Sequence, residues 1–283
     1  MKRNVIAVLF SLVSLIATSC SKLDHLFNNG NPIHETRELE QPFRAISMYN
    51  NINVKLAHDN HPHLELTCPE NLIDKVTTEI EGDTLIIKNE NDYNWLRSFD
   101  YSIDLTVYYD SLQLIKYASI GSLTSEEGDS IKGVSILQID TLYTIDTSFN
   151  TDGTIVSIDT TMDIVTISPR NFFININEGS GDINLSFDCD VLKNNFNNGT
   201  SYVTMSGKAE YTEINMRSYG LIHAENLNSN FVRVQSHSTN DAYVWARTKL
   251  TAWLYSIGNV YYKGHPELLK YCTSDGQVIK LNE

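Results

Sequence analysis

Gly181-Asp182-Ile183-Asn184-Leu185, Ser201-Tyr202-Val203-Thr204-Met205, Gly220-Leu221-Ile222-His223-Ala224, Asn240-Asp241-Ala242-Tyr243-Val244 and Gly258-Asn259-Val260-Tyr261-Tyr262 repeat one short pattern, a small or turn residue followed by an alternating strand. Their first residues stand 20, 19, 20 and 18 positions apart. A fixed period of this size marks a solenoid, because one such unit cannot bury its own apolar face and has to stack on its neighbours.

Side chains of a strand alternate between faces, so residues two and four positions after each turn share a face. Those are Ile183, Val203, Ile222, Ala242 and Val260, then Leu185, Met205, Ala224, Val244 and Tyr262. Being mostly apolar, they are expected to point inward and stack as ladders, burial contributing roughly 1.5 to 3 kcal/mol for each larger side chain. The intervening columns, Asp182, Tyr202, Leu221, Asp241, Asn259 and Asn184, Thr204, His223, Tyr243, Tyr261, are expected to face outward. Residues 211–216, 230–235 and 250–255 alternate likewise and predict a second sheet between the coils. Residues 277–281 are expected to cover the open end.

Toward the N-terminus, residues 43–48, 52–56, 63–68, 84–88, 102–109 and 112–117 are β-patterned, and residues 69–76 supply the only helical turn in that half. Between residues 128 and 169 an extra stretch interrupts the layout. Residues 141–145, 153–158 and 162–167 are strand-like, separated by Asn150-Thr151-Asp152-Gly153 and Asp159-Thr160-Thr161. Strand, Asp-Gly turn, strand reads as an inserted β-hairpin. Such insertions map to one face of a solenoid, often the binding face, and a neutral decoration is the other reading.

Several pieces, in order, carry a family resemblance: Arg37 ahead of Phe43-Arg44-Ala45-Ile46, then Asn51-Ile52-Asn53-Val54, Pro69-Glu70-Asn71-Leu72-Ile73-Asp74, Gly82-Asp83-Thr84-Leu85-Ile86-Ile87, and the turn Gly179-Ser180-Gly181-Asp182-Ile183. The chain resembles the autotransporter adhesin head GIN domain family over roughly residues 37–270. Asn51 replaces a glycine of the family pattern, and only Gly179 to Ile183 keeps the full repeat turn. The resemblance implies an all-β fold, a right-handed parallel β-helix (a single-stranded β-solenoid) similar to pectin-lyase-like folds but without their catalytic residues. It also implies a place in the Gram-negative cell envelope and a role in adhesion.

The first residues differ from the rest. Lys2 and Arg3 precede an apolar run from Val5 to Ala17 and then Thr18-Ser19-Cys20, the layout of a secretory signal peptide over residues 1–19. The small residues before Cys20 resemble a bacterial lipobox, which would make Cys20 the lipidated first residue and hold the protein to a membrane by lipid alone. An ordinary cleaved signal is the alternative. Residues 20–35 then read as a polar tether and 36–283 as the domain. Ser21-Lys22-Leu23-Asp24 carry no acidic export-like cluster, so the outer membrane is expected with its face left open. Cys68, Cys189 and Cys272 have no CxxC spacing and read as small buried hydrophobes. A formal charge of −14, with no cluster of Lys and Arg after residue 3, excludes nucleic acid or anionic lipid bound by bulk electrostatics.

Catalytic chemistry finds few footholds. Asp182 and Asp241 share a column three coils apart, about 14 Å at about 4.8 Å per coil, too far for paired carboxylate work. Glu213, Arg217, Arg233 and Arg247 read as dispersed surface charge. P-loop, HExxH and Gly-x-Ser-x-Gly motifs are absent from the sequence. His58, His61 and His63 could hold a metal if strand-borne, though Asn60 and Pro62 suggest a solvated turn. No cofactor is expected. The outward aromatics are the most suggestive group: Tyr202, Tyr243 and Tyr261, with Trp245, Trp253 or Tyr255 elsewhere, could stack on sugars or anchor a protein. The reading is a non-catalytic envelope lipoprotein that binds a glycan or protein. The alternatives are a carbohydrate-active enzyme with its site beside the 128–169 insertion and a structural envelope component.

Overall fold

The computed structural model describes residues 28–91, 101–135, 138–149 and 155–282. The signal segment, Cys20 and the Asn150–Gly153 turn lie outside the described residues. In chain order the first strands are β1 (Pro32–Glu38), β2 (Ala45–Asn50), β3 (Asn53–His58) and β4 (His63–Pro69). The expected helical turn is a single 3-10 turn, Ile73–Lys75. It leads into β5 (Val76–Glu81), β6 (Thr84–Asn89), β7 (Asp104–Tyr109), β8 (Leu114–Ser119) and β9 (Leu123–Ser125). β1 starts inside the segment read as a tether: Pro32 pairs with Pro69 and Glu35 with Leu66.

The insertion is bracketed by β10 (Val134–Ser135) and built from β11 (Gln138–Phe149) and β12 (Ile155–Ile167), which pair antiparallel as a sheet of their own. The three strand-like segments are two strands. Asp159, Thr160 and Thr161 do not break β12, since they pair in register with Asp146, Ile145 and Thr144. After the hairpin comes β13 (Arg170–Gly179), whose first residues pair with β10 and close the root: Ser135 opposite Arg170, Val134 opposite Asn171.

Four long strands follow, β14 (Ile183–Phe196), β15 (Tyr202–Met216), β16 (Leu221–Ser236) and β17 (Ala242–Leu254), then β18 (Val260–Lys263), β19 (Glu267–Cys272) and β20 (Val278–Lys280). The expected second sheet is the continuation of the first. β14 buries residues 183, 185, 187 and 189, then 192, 194 and 196, so its alternation slips by one residue at Asp190 and Val191. A one-residue slip exchanges faces. Such a slip at a bend keeps the apolar set inward on both sides of it. β15 repeats it once, between Ala209 and Thr212, and β16 slips twice, between Ala224 and Leu227 and between Ser229 and Val232. β17 passes its bend through the unburied residues 247–249 with no net slip.

The bend divides the sheet into two parallel lanes. Lane one runs β7, β3, β9, then the first halves of β14 to β17, then β18 and β20. Lane two runs β6, β2, β8, β13, then the second halves of β14 to β17, then β19. From β13 onward consecutive rungs are about one sequence period apart, as the repeat predicts. The layout is nonetheless a curled mixed sheet rather than a uniformly parallel one, because β1, β4 and β5 pair antiparallel at the N-terminal end. There the order also departs from the chain, β2 and β3 lying between the β6, β7 rung and the β8, β9 rung. Residues 277–281, expected as a cover, instead add β20 as one more rung of lane one.

The core lies along the inner face of both lanes. Every expected inward residue of the repeats is buried except Tyr262, which is partly so at the last rungs. The full Gly-Ser-Gly-Asp turn survives where it is needed: a Cβ on Gly181 would collide with the Gly121 carbonyl and with the hydroxyl of buried Tyr117, which itself donates to the Gly121 carbonyl at 2.7 Å.

Candidate functional site

The outward side chains of lane one form an aromatic stack. Thr204, His223, Tyr243 and Tyr261 occupy one column in register, and Tyr202 leans on His223 from the adjacent column. Ring centroids are separated by 4.8 Å (Tyr202 to His223), 4.4 Å (His223 to Tyr243) and 4.9 Å (Tyr243 to Tyr261), with interplanar angles of 19°, 11° and 11°. The rung spacing of a sheet, about 4.7–4.9 Å, permits this face-to-face contact. The three predicted tyrosines are thus brought together, and His223 is the link between Tyr202 and Tyr243. Its Nδ1–H donates to Glu225 Oε1 at 2.9 Å, fixing the ring. Partial desolvation, then the charges of Asp241 and Glu225 and the neighbouring tyrosines, raises the Tyr243 hydroxyl above its ordinary value, so it stays a neutral donor. Because the inner rings lie against one another, the ridge presents ring edges and polar tips. Tyr202, 41 % exposed at the end of the stack, is the member best placed to offer a ring face.

Lane two carries a different outward surface. Asn175, Asn195, Asn215, Gln235, Trp253 and Tyr271 form one column in register. Asn215 Nδ2 donates to Asn195 Oδ1 and Asn195 Nδ2 to Asn175 Oδ1, each at 2.9 Å, and Asn197 Nδ2 donates to Asn177 Oδ1 at 3.1 Å in the neighbouring column. With Glu213 and Arg217 these amides line an open trough of about 360 Å³. Of the charges read as dispersed, Glu213, Arg217 and Arg233 lie in this region and Arg247 lies elsewhere: Glu213 is opposite Arg233, which rests over the Trp253 ring at 4.4 Å, while Trp253 stacks on Tyr271 and His237 on Tyr255. Trp245 is half-buried in lane one, where it pairs with Lys263.

At the root of the hairpin, Arg170 joins two carboxylates, with Nη2 at 3.3 Å from Asp188 Oδ1 and 3.0 Å from Asp190 Oδ1. The two oxygens lie no further apart than the sum of those distances, about 6.3 Å. Lys208 Nζ lies 3.2 Å from Asp188 Oδ2, and Glu210 and Arg247 line the same cleft of about 280 Å³. Two neighbouring carboxylates are the equipment of glycoside hydrolysis, and alignment of the columns on the turns does not reveal this pair. Their electrostatics point elsewhere, since that chemistry needs one carboxyl to hold a proton. The Arg170 hydrogen bonds hold Asp190 below its ordinary range. For Asp188 burial pushes upward, but Lys208 and Arg170 outweigh it and the net shift is down. Both are therefore charged at neutral pH and ion-paired. Cys189, in the same cleft, has its thiol pushed up to about 12 by burial and is no nucleophile at neutral pH.

The histidines of the 58–63 segment engage aromatic partners. His63 stacks on Tyr108 at 4.1 Å and 6°, His58 meets Tyr109 edge-on, and the His61 side chain is almost wholly exposed. Among the described residues no group of three His, Cys, Asp or Glu side chains gathers as a metal site. Cys68 and Cys189 are free and buried, as small hydrophobes are expected to be, whereas Cys272 is free and exposed on β19. No described helix is long and apolar enough to cross a membrane.

The family model described as "Putative auto-transporter adhesin, head GIN domain" matches residues 42–266, well over half of the chain. The chain belongs to the head GIN domain family. Solved structures similar to this GIN domain chain include a putative adhesin from Bacteroides fragilis, at 16 % identity and TM-score 0.68 over 89 % of this chain and 97 % of that one. A putative lipid binding protein from Parabacteroides distasonis matches at 17 % identity and TM-score 0.59, covering 90 % and 98 %. A putative adhesin from Parabacteroides merdae matches at 16 % and 0.57, also covering 90 % and 98 %. At these identities the likeness is one of fold. No curated protein gives a significant match.

Proposed function

We propose that this GIN domain chain is a non-catalytic envelope lipoprotein, lipidated on Cys20 after removal of residues 1–19, that works as an adhesin. Its sheet is read as a right-handed parallel β-helix, capped at the N-terminal end by antiparallel strands, and its ligand as a glycan or protein at the envelope. The observation that carries the reading is the stack of Tyr202, His223, Tyr243 and Tyr261, a rigid ridge whose ring order is set by the sheet. Aromatic rings already ordered by the fold lose little entropy on contact, which is why such residues dominate binding surfaces. The adhesin descriptions of the family and of most of the structural relatives above agree with a binding role. The enzyme alternative is disfavoured by the ion pairing of Asp188 and Asp190.

The test is binding of the purified protein to arrays of immobilised glycans and extracellular proteins, beside a Tyr202→Ala/Tyr243→Ala/Tyr261→Ala variant. The expected result is a ligand that loses at least tenfold in affinity in the variant. A ligand held equally by both proteins would remove the ridge from the account.

A further inference from the structure

We propose that the trough of lane two is a second binding site, separate from the aromatic ridge, and that it takes an extended neutral oligosaccharide. Three features carry this. The first is unused hydrogen-bonding capacity at fixed spacing. Within the Asn175, Asn195, Asn215 row each ladder bond uses one N–H and one oxygen acceptor site; Asn215 Nδ2 also donates to Glu213 Oε1 at 3.3 Å, so Asn175 and Asn195 keep unused N–H groups while Asn215 keeps its oxygen acceptor sites. Gln235, which continues the row, and Arg217 beside it make no side-chain hydrogen bond or ion pair among the described residues. Donors and acceptors therefore recur at the rung spacing of about 4.7–4.9 Å, a period suited to a polymer of hydroxylated rings and of no use to a compact ligand.

The second feature is charge. Glu213 lies 3.7 Å from Lys193, and Arg217 adds one cation, so the trough has no concentrated charge of either sign. A polyanion would also meet the repulsion of a chain with formal charge −14. The third is shape and lining. About 360 Å³ falls within the range of ligand pockets, yet amides and charged groups line it in place of apolar side chains, which disfavours a lipid tail or another apolar ligand. The column ends at Tyr271, 53 % exposed, so a chain leaving the amides passes an aromatic at the last rung.

Calorimetric titration of the purified protein with cellohexaose, maltohexaose, mannohexaose and chitohexaose tests the assignment. Gln235→Ala and Arg217→Ala remove side chains that bond nothing within the protein, so they spare the fold, and Asn215→Ala removes a member of the ladder. Thermal melts confirm that each variant is folded. At least one hexasaccharide is expected to bind and to weaken at least tenfold in Gln235→Ala/Asn215→Ala and severalfold in Arg217→Ala, with Tyr243→Ala within twofold of wild type. Binding of none of the four overturns the proposal, as does wild-type affinity in the trough variants. Loss in Tyr243→Ala alone would overturn it while leaving the ridge reading intact.

Discussion

At the residue scale, Asn194 is the odd member of the core. Its lane-two column reads Ile46, Ile115, Ile174, Asn194, Ile214, Val234 and Ala252, and Asn194 is fully buried with neither amide atom bonded. Burying an amide without partners costs about 1–3 kcal/mol by mutational measure. Leucine has nearly the same shape and no polar atoms. Asn194→Leu is therefore expected to stabilise the protein by about that amount, read as a rise in Tm of several degrees, and a fall in Tm would show that the amide has a partner after all. Arg170 is the second telling residue. Asp188 and Asp190 have folded pKa values below the ordinary 3.8, so their contribution to stability is fully present above that value and is lost as pH falls through the folded values. With side chains a third or more exposed, the pairing contributes about 1 kcal/mol or less. The stability difference between wild type and Arg170→Gln, measured by chemical denaturation, should be present at pH 7 and shrink below pH 3.8. A difference that is unchanged in acid would contradict the pairing.

At the scale of elements, the two ends of the sheet are managed differently. At the N-terminal end β1, β4 and β5 add antiparallel strands, whereas at the other end β19 is the last strand of lane two, paired on one side only and mostly exposed. Lys270 stands opposite Ala252 on that strand, in the column that is apolar along most of the lane. A charge on the inward face of an edge strand deters another sheet from adding to it. Lys270→Leu is expected to raise self-association in sedimentation velocity at matched concentration. Sedimentation unchanged from wild type would show that the edge is protected by something else. The elements also mark how far the sequence could be read. Period and alternation reveal the inward columns of lane one and the outward Tyr243 and Tyr261, because those depend only on spacing along one strand. The insertion of β2 and β3 between later rungs is a long-range pairing that no local pattern encodes. The approach of Arg170 to Asp188 and Asp190 spans one circuit, 18 and 20 residues, but at a bend and not at a turn, where the columns were aligned. His223 stood in the right column, yet its role depends on ring orientation, which spacing does not give.

At the scale of the whole molecule, the two lanes give one rigid framework with two unlike surfaces, an aromatic ridge and an amide trough, and a hairpin rooted between β10 and β13 close to the Arg170 cluster. Surfaces ordered by a ladder of main-chain pairing are suited to recognition, since the residues are held in place before any ligand arrives. The central claim is that the protein binds without turning its ligand over. The direct measurement is prolonged incubation of stoichiometric purified protein with the polysaccharides it retains, followed by size analysis of the polysaccharide. Retention with unchanged chain length is the predicted result. Progressive shortening by the wild-type protein, abolished in Asp188→Asn or Asp190→Asn, would contradict the account and make the cleft at Arg170 an active site.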